Sequence, residues 1–205
     1  TNINYYMPPL FYYTQSEQDK IESSKNRPSD GIFLIDDFFS KENCIRIIKE
    51  IETDQLVDET ELNESTNVNA LGLPHYKMCD DVNIYVHKKI KQFTTFINNY
   101  LDLSIVGHSD LQYRKIYGKT KYHIDTTDCA VPIGDTEPRA RIFSCIIALN
   151  DDYDGGELIF PVQNRKIKLK RGQIVAFPPY WTHPHYTNEL ENGTFRYTIN
   201  NWLLE

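Results

Sequence analysis

The sequence predicts an α+β domain in which two amphipathic helices support one face of a β-sandwich or barrel. Three observations predict it. Helical periodicity is confined to two segments, after Ser40 and after Asp80. From Asp110 onward the chain breaks into short β-rich runs at about 8–12-residue spacing, separated by Gly, Pro, Asn and Asp turns. The 205 residues, 40% hydrophobic and 25% charged, suffice for one domain with one core, burying roughly 70% of its unfolded surface. We read 1–205 as a single domain with an N-terminal arm over 1–30, a strand, two helices and a flap over 31–108, and the β-rich core over 109–205.

The arm mixes tyrosines and prolines with the polar run QSEQDKIESSKNRPSD, which has few apolar anchors. The run GIFLIDDFFS from Gly31 reads as a short apolar strand. Ser40 then serves as an N-cap, with Asn43 at the third helical position and Cys44, Ile45, Ile47, Ile48 and Ile51 at helical spacing. Residues 54–78 are Asn-rich and acidic, too long for a passive connection, and read as a mobile flap. Asp80 or Asp81 can cap a second helix whose Val82, Val86, Ile90, Phe93, Ile97 and Leu101 mark one buried face. The runs LQYRKIY, ARIFSCIIALN, ELIF, KIKLK, QIVAF and RYTINNWLL supply the strands.

Composition narrows the function classes. With a formal charge of −7 and no basic run, the chain lacks the clustered cations that backbone binding to nucleic acids needs. Cys44, Cys79, Cys129 and Cys145 are scattered without a C-x-x-C pair, which suits reduced thiols in the cytoplasm. No run of about 18 apolar residues can span a bilayer, and the first residues lack the pattern of a secretion signal. A soluble cytoplasmic protein, without membrane or general nucleic-acid partners, is the expectation.

The chemistry lies with the histidines. His75, His87 and His108 have no partners at useful spacing and read as surface or locally bonded residues. His123 differs, because in YHID it stands two residues before Asp125, and positions i and i+2 of an extended chain share a face. A histidine from FPPYWTHPHY, either His183 or His185, would complete a two-histidine, one-carboxylate set. Such a set leaves three metal positions open and suits Fe(II) oxygen chemistry.

What surrounds YHID sharpens this: the strand LQYRKIY before it, the hairpin NDDYDGGELIFP, the run KIKLKRGQIVAFPPYW leading to HPH, and GTFRYTINNW after it. From about Gly31 to Trp202 the sequence resembles the prolyl 4-hydroxylase-like branch of the Fe(II)- and 2-oxoglutarate-dependent dioxygenases, including small phage and bacterial members. The resemblance implies a double-stranded β-helix (jelly-roll, cupin-like) core. It maps H-x-D onto His123 and Asp125, G-G-E-L-x-F onto Gly155, Gly156, Glu157, Leu158 and Phe160, and the last metal ligand onto His185, with His183 as the alternative. Arg196, eleven residues beyond His185, takes the basic position for the far carboxylate of 2-oxoglutarate. A guanidinium matches a carboxylate bidentately, and Thr198 on the same strand face can donate to it. Tyr117 maps onto the family's co-substrate tyrosine, with Lys121 and Tyr122 beside it. The turn before Arg196 departs from the family pattern by one extra residue and by Glu189 in place of a proline.

The resemblance further implies Fe(II), 2-oxoglutarate and O2 as cofactor and co-substrates, ascorbate as a candidate accessory, and hydroxylation with release of succinate and CO2. The expected substrate is a peptidyl proline, gripped by the flap and the loop 126–141. Another residue, a free amino acid or a small metabolite is the alternative substrate. A non-catalytic 2-oxoglutarate-binding module and a cupin-like metal enzyme of another reaction class are the competing readings. For a phage or virus, the location would be the host cytoplasm.

Overall fold

A computed structural model describes residues 28–52, 56–58, 70–126, 131–133 and 136–205. Ile32–Glu205 forms one compact unit. The expected arm over 1–30 lies outside the described residues as far as Arg27.

Strand β1, Phe33–Ile35, is followed by helix α1, Lys41–Ile51. Ser40 caps that helix, its hydroxyl accepting from the Asn43 backbone N–H, and the apolar stripe Cys44, Ile47 and Ile51 faces inward. Helix α2, Asp80–Leu101, buries Val82, Val86, Ile90, Phe93 and Ile97 as the periodicity predicts. Its N-cap is Cys79, without a side-chain hydrogen bond, and Asp80 and Asp81 stand in the first turn instead. Their carboxylates there still face the positive end of the helix dipole.

Both described ends of the segment 54–78, expected to form a flap, carry regular structure. Val57–Asp58 and Ala70–Leu73 are strands β2 and β3, and His75–Lys77 is a single 3-10 turn. β3 pairs antiparallel with β5, Gln112–Ile116, and its Ala70 and Leu73 are buried. The backbone of a segment in a ladder is satisfied by pairing, so this part is wall; residues 59–69 lie outside the described set.

Strands β8, Arg141–Ala148, β12, Ile174–Phe177, and β15, Arg196–Leu204, complete the main framework. An eight-stranded sheet runs β1-β12-β8-β15-β5-β3-β2, with β4, Gly107–His108, also on β15. Every pairing in it is antiparallel. One face packs on α1 and α2 through Tyr113, Cys145, Ile147, Ile174, Ile199 and Leu203. On the other, Val175 and Phe177 meet Leu158, Phe160 and Ile167 of a small sheet formed by β10, Leu158–Phe160, β11, Arg165–Ile167, and β13, Tyr186–Thr187. β12 is buried at all four positions, as a strand covered on both faces must be. Each fully buried Ile or Phe contributes about 1.5–3 kcal/mol.

The loop 126–141 carries two short strands, Val131–Ile133 and Thr136–Arg139, paired antiparallel as β6 and β7. Asp154–Gly155 and Leu190–Glu191, β9 and β14, form a further small ladder. The architecture is a double-stranded β-helix with two helices on one face. Among the described residues no helix is long and apolar enough to cross a membrane.

Candidate metal centre

Strand alternation builds the site. Along β15 the residues Arg196, Thr198, Asn200 and Trp202 share the face opposite the helices, while Tyr197, Ile199 and Leu203 pack towards them. β5 turns Gln112, Arg114 and Ile116 the same way, and β8 turns Ser144 and Ile146. Together with Thr120, His123, Asp125, Leu158, His185 and Thr187 these residues line a cavity of about 290 Å³.

His123 and His185 are brought together by the backbone. An isolated antiparallel bridge joins them, the His123 N–H donating to the His185 carbonyl at 3.0 Å and the reverse bond spanning 2.9 Å. Their ring centroids lie 4.3 Å apart. Nδ1 of His123 is 2.7 Å from the Lys121 carbonyl and Nδ1 of His185 is 3.1 Å from the His183 carbonyl. A carbonyl only accepts, so both rings carry a proton on Nδ1 and direct Nε2 elsewhere; in the charged form of His123 a second proton, on Nε2, is the one that Asp125 accepts.

Both Nε2 atoms point at Asp125. Its Oδ1 lies 3.1 Å from Nε2 of His123 and 3.6 Å from Nε2 of His185. Its Oδ2 accepts a short hydrogen bond from the Ser144 hydroxyl and lies 3.4 Å from Nε1 of Trp202. Arg141 donates to the Asp125 backbone carbonyl at 2.6 Å and stacks over the Trp202 ring at 4.0 Å.

Burial works against the Asp125 charge. The hydrogen bond from His123, the two imidazoles and the Ser144 hydroxyl outweigh it and hold the carboxyl far below the usual carboxylate range. Burial likewise opposes charge on His123, but the Asp125 hydrogen bond and charge raise its pKa overall. For His185 burial dominates and lowers it.

The ligand atoms of His123, Asp125 and His185 all lie within 4.8 Å of one another. Adjacent ligands on one face of an octahedron with bonds of about 2.1 Å are about 3.0 Å apart, so this trio fits a single cation on one side and leaves the other side open. Among the described residues it is the one such group of three. His183, the alternative third residue, is buried but turns its Nδ1 to the Thr182 hydroxyl at 2.9 Å. Its carbonyl, rather than its ring, serves the site by orienting His185.

The deep end of the cavity belongs to Arg196 and Thr198. Arg196 is 5% exposed and Thr198 0%. One guanidinium nitrogen of Arg196 donates to the Gly156 carbonyl at 2.6 Å, while its Nε and the Thr198 hydroxyl oxygen are buried without a hydrogen-bond partner. Arg114, opposite Thr198 in the ladder, adds a second positive charge near Arg196. A buried guanidinium beside a like charge is costly, and a carboxylate seated here would satisfy both orphaned atoms. The pocket therefore fits an anionic group at one end and a cation at the other, as a bound 2-oxo diacid requires.

Tyr117 does not join them. The period of two that turns Ile116 into the cavity puts the next residue on the other side, and Tyr117 is 38% exposed and absent from the cavity wall. Lys121 and Tyr122 are also exposed, and Lys121 contributes only its carbonyl. Ser144, Trp202, Arg141 and Arg114 also line the cavity, and no motif in the sequence marks them. Their one signal was a polar or aromatic residue on a regular face of an otherwise apolar strand.

Residues 111–204 match the 2OG-Fe(II) oxygenase superfamily. The fold is similar to the 2OG complex of a viral collagen prolyl hydroxylase from Paramecium bursaria Chlorella virus-1, at TM-score 0.63 and 20% identity over 85% of this chain and 96% of that one. A prolyl-4-hydroxylase from Pseudomonas putida gives 0.64 and 15% over 86% and 94%. A prolyl hydroxylase from Trichoplax adhaerens, in complex with a hypoxia inducible factor oxygen degradation domain peptide fragment, gives 0.68 and 15% over 94% of each. At such identities the likeness is one of fold. No curated protein sequence matches the chain.

Proposed function

We propose that this chain, a 2OG-Fe(II) oxygenase through its residues 111–204, hydroxylates a peptidyl proline, with His123, Asp125 and His185 as the iron ligands and Arg196 and Thr198 as the anchor for the far carboxylate of 2-oxoglutarate. The observation that carries this reading is the union, in one cavity, of a three-residue cation site and a buried guanidinium with an unpartnered Nε. The peptidyl substrate is supported by the likeness in fold to a prolyl hydroxylase holding a peptide. Ile32–Glu205, the compact unit, serves as one oxygenase domain. The buried free thiols Cys44 and Cys145 suit a reducing, cytoplasmic compartment.

Iron with 2-oxoglutarate and O2 supplies the oxidation, one oxygen atom entering the substrate C–H bond and the other the succinate formed with CO2. The chain's own part is placement. The Lys121 and His183 carbonyls fix both imidazoles with Nε2 inward, and Ser144 leaves one Asp125 oxygen for the cation. Arg196, braced on Gly156, sets the depth at which a diacid stops. Leu158 and Ile146 line the pocket with apolar surface that limits water.

The test is succinate release by purified protein given Fe(II), 2-oxoglutarate and a library of proline-containing peptides, with a mass gain of one oxygen on the peptide. Peptide-dependent succinate and hydroxyproline in the same tube are expected. Succinate release that no peptide stimulates, but an amino acid or small metabolite does, would move the substrate class and leave the oxygenase standing.

A further inference from the structure

Three of the six histidines lie away from the candidate iron site, and the fold gathers them from three different elements. His75 opens the 3-10 turn, His87 lies in α2 and His108 in β4. Nδ1 of His87 is 2.9 Å from Nε2 of His108, with ring centroids 4.8 Å apart. The His75 ring stands edge-on to His87 at 5.6 Å. All three are partly exposed, so the cluster is open to solvent.

The proton positions follow from one carbonyl. Nδ1 of His108 is 2.7 Å from the Ser109 carbonyl oxygen, which only accepts, so His108 holds its proton there and presents a lone pair from Nε2. That lone pair faces a second ring nitrogen, Nδ1 of His87, and a single proton lies between them. Two imidazole nitrogens converging this way can equally share a metal ion in place of the proton. With Zn–N bonds of about 2.0–2.1 Å a tetrahedral ion sets its nitrogens about 3.4 Å apart, so the pair need open by only about half an ångström. The Ser109 carbonyl already makes the outer-shell bond that a metal-bound histidine usually makes with its other nitrogen. Asp110, next along the chain, acts on His87 electrostatically together with His75 and His108, and would neutralise part of an added positive charge.

We propose that His87 and His108, with His75 as a third donor, form a second metal site that takes a zinc, nickel or copper ion. An all-imidazole set suits these ions, whereas the site at Asp125 mixes imidazole with a carboxylate. Closing it draws His75 towards the other two by side-chain rotation and cross-links the 3-10 turn, α2 and β4. The inference is independent of the oxygenase reading, because it uses no residue of the cavity.

The experiment counts bound zinc and nickel by equilibrium dialysis and metal analysis in the wild type and in a His123→Ala/Asp125→Ala background. Two equivalents in the wild type and one in the background are expected. Adding His87→Ala or His108→Gln to the background should weaken that remaining equivalent at least tenfold, and the increase in melting temperature that zinc gives the background should vanish with it. Circular dichroism checks that each variant folds, and the partly exposed His75→Ala provides a variant that leaves the His87–His108 contact in place and should still lower affinity. No bound metal in the background, or an equivalent there that survives both the His87 and His108 changes, would overturn the proposal, whereas one equivalent in both wild type and background would count against the site at Asp125 alone.

Discussion

The Ser144 hydroxyl donates a hydrogen bond to Oδ2 of Asp125, and the two oxygens of that carboxylate thereby divide their work. Oδ2 is tied to β8 and to the Trp202 indole, while Oδ1 faces both imidazoles. Ser144 is 2% exposed, so no water readily replaces its hydroxyl. Ser144→Ala is expected to weaken Mn(II) binding about 10–100-fold, the usual loss for an outer-shell partner, with unchanged circular dichroism, and Ser144→Thr to restore most of it. Calorimetric titration of Mn(II) reads the difference. Equal affinity in wild type and Ser144→Ala would show that the carboxylate needs no such support.

At the other end of the cavity, Arg196→Ala should raise the half-saturating concentration of 2-oxoglutarate about 10–150-fold, because a lost hydrogen bond to a charged group costs about 1.5–3 kcal/mol. Thr198→Val removes one neutral donor and should cost about tenfold or less. Neither change touches the cation trio, so Mn(II) affinity measured without 2-oxoglutarate should stay within about twofold. A parallel fall in metal affinity would mean that Arg196 acts by holding the pocket together through Gly156 rather than by meeting the co-substrate.

Much of this geometry was legible in the sequence, and the exceptions share a cause. Regular strand texture foretold β5, β8, β12 and β15, and His123 and Asp125, expected to share a face, meet at 3.1 Å between Nε2 and Oδ1. Tyr117 was misplaced because the face a strand residue takes is set by register with β15, where Arg196 lies opposite Ile116, and a local motif does not carry that register. His185 rather than His183 meets Asp125 because a single backbone bridge to His123 chooses between them. Ser144 and Trp202 were invisible for the same reason: they are partners in the ladder and meet Asp125 from 19 and 77 residues away. The clustering of His75, His87 and His108 likewise needs α2 folded onto β4.

Glu52, just beyond α1, ties the helical layer to the sheet. It pairs with Lys115 of β5 at 2.7 Å and accepts a short hydrogen bond from the Tyr197 hydroxyl of β15. Burial alone would raise its pKa, but those two partners more than offset it and hold the carboxyl below its ordinary value. A depressed folded-state pKa means the unfolded chain binds the proton more readily, so the stabilisation is full above the unfolded value of about 4.3 and fades as the pH falls through the folded one. Glu52→Gln should therefore lower the urea midpoint at pH 7, by an amount equivalent to about 0.2–1 kcal/mol for so exposed a pair. At pH 3 the gap to wild type should narrow. A gap that stays constant between the two pH values would contradict the linkage.

Two glycines with the same backbone but different surroundings separate conformational cost from collision. Gly155 and Gly193 have φ of +68° and +67°, in the left-handed region where a side chain costs about 1–2 kcal/mol. A Cβ on Gly193 meets nothing within 4 Å, whereas one on Gly155 would sit 2.1 Å from the Glu189 carbonyl oxygen, which belongs to the stretch that pairs β14 with β9. The next residue, Gly156, is the one whose carbonyl braces Arg196. Gly193→Ala should thus lower the melting temperature by only a few degrees, at about 2–4 °C per kcal/mol for a chain of this size. Gly155→Ala must also move backbone, and a loss of about 2–4 kcal/mol, or roughly 5–15 °C, is expected. Because the displaced turn carries the Arg196 acceptor, Gly155→Ala should in addition weaken 2-oxoglutarate binding while Gly193→Ala leaves it unchanged. Thermal melts and co-substrate titrations on the two variants check both halves, and equal melting temperatures would mean that the Glu189 carbonyl yields to the methyl group at little cost.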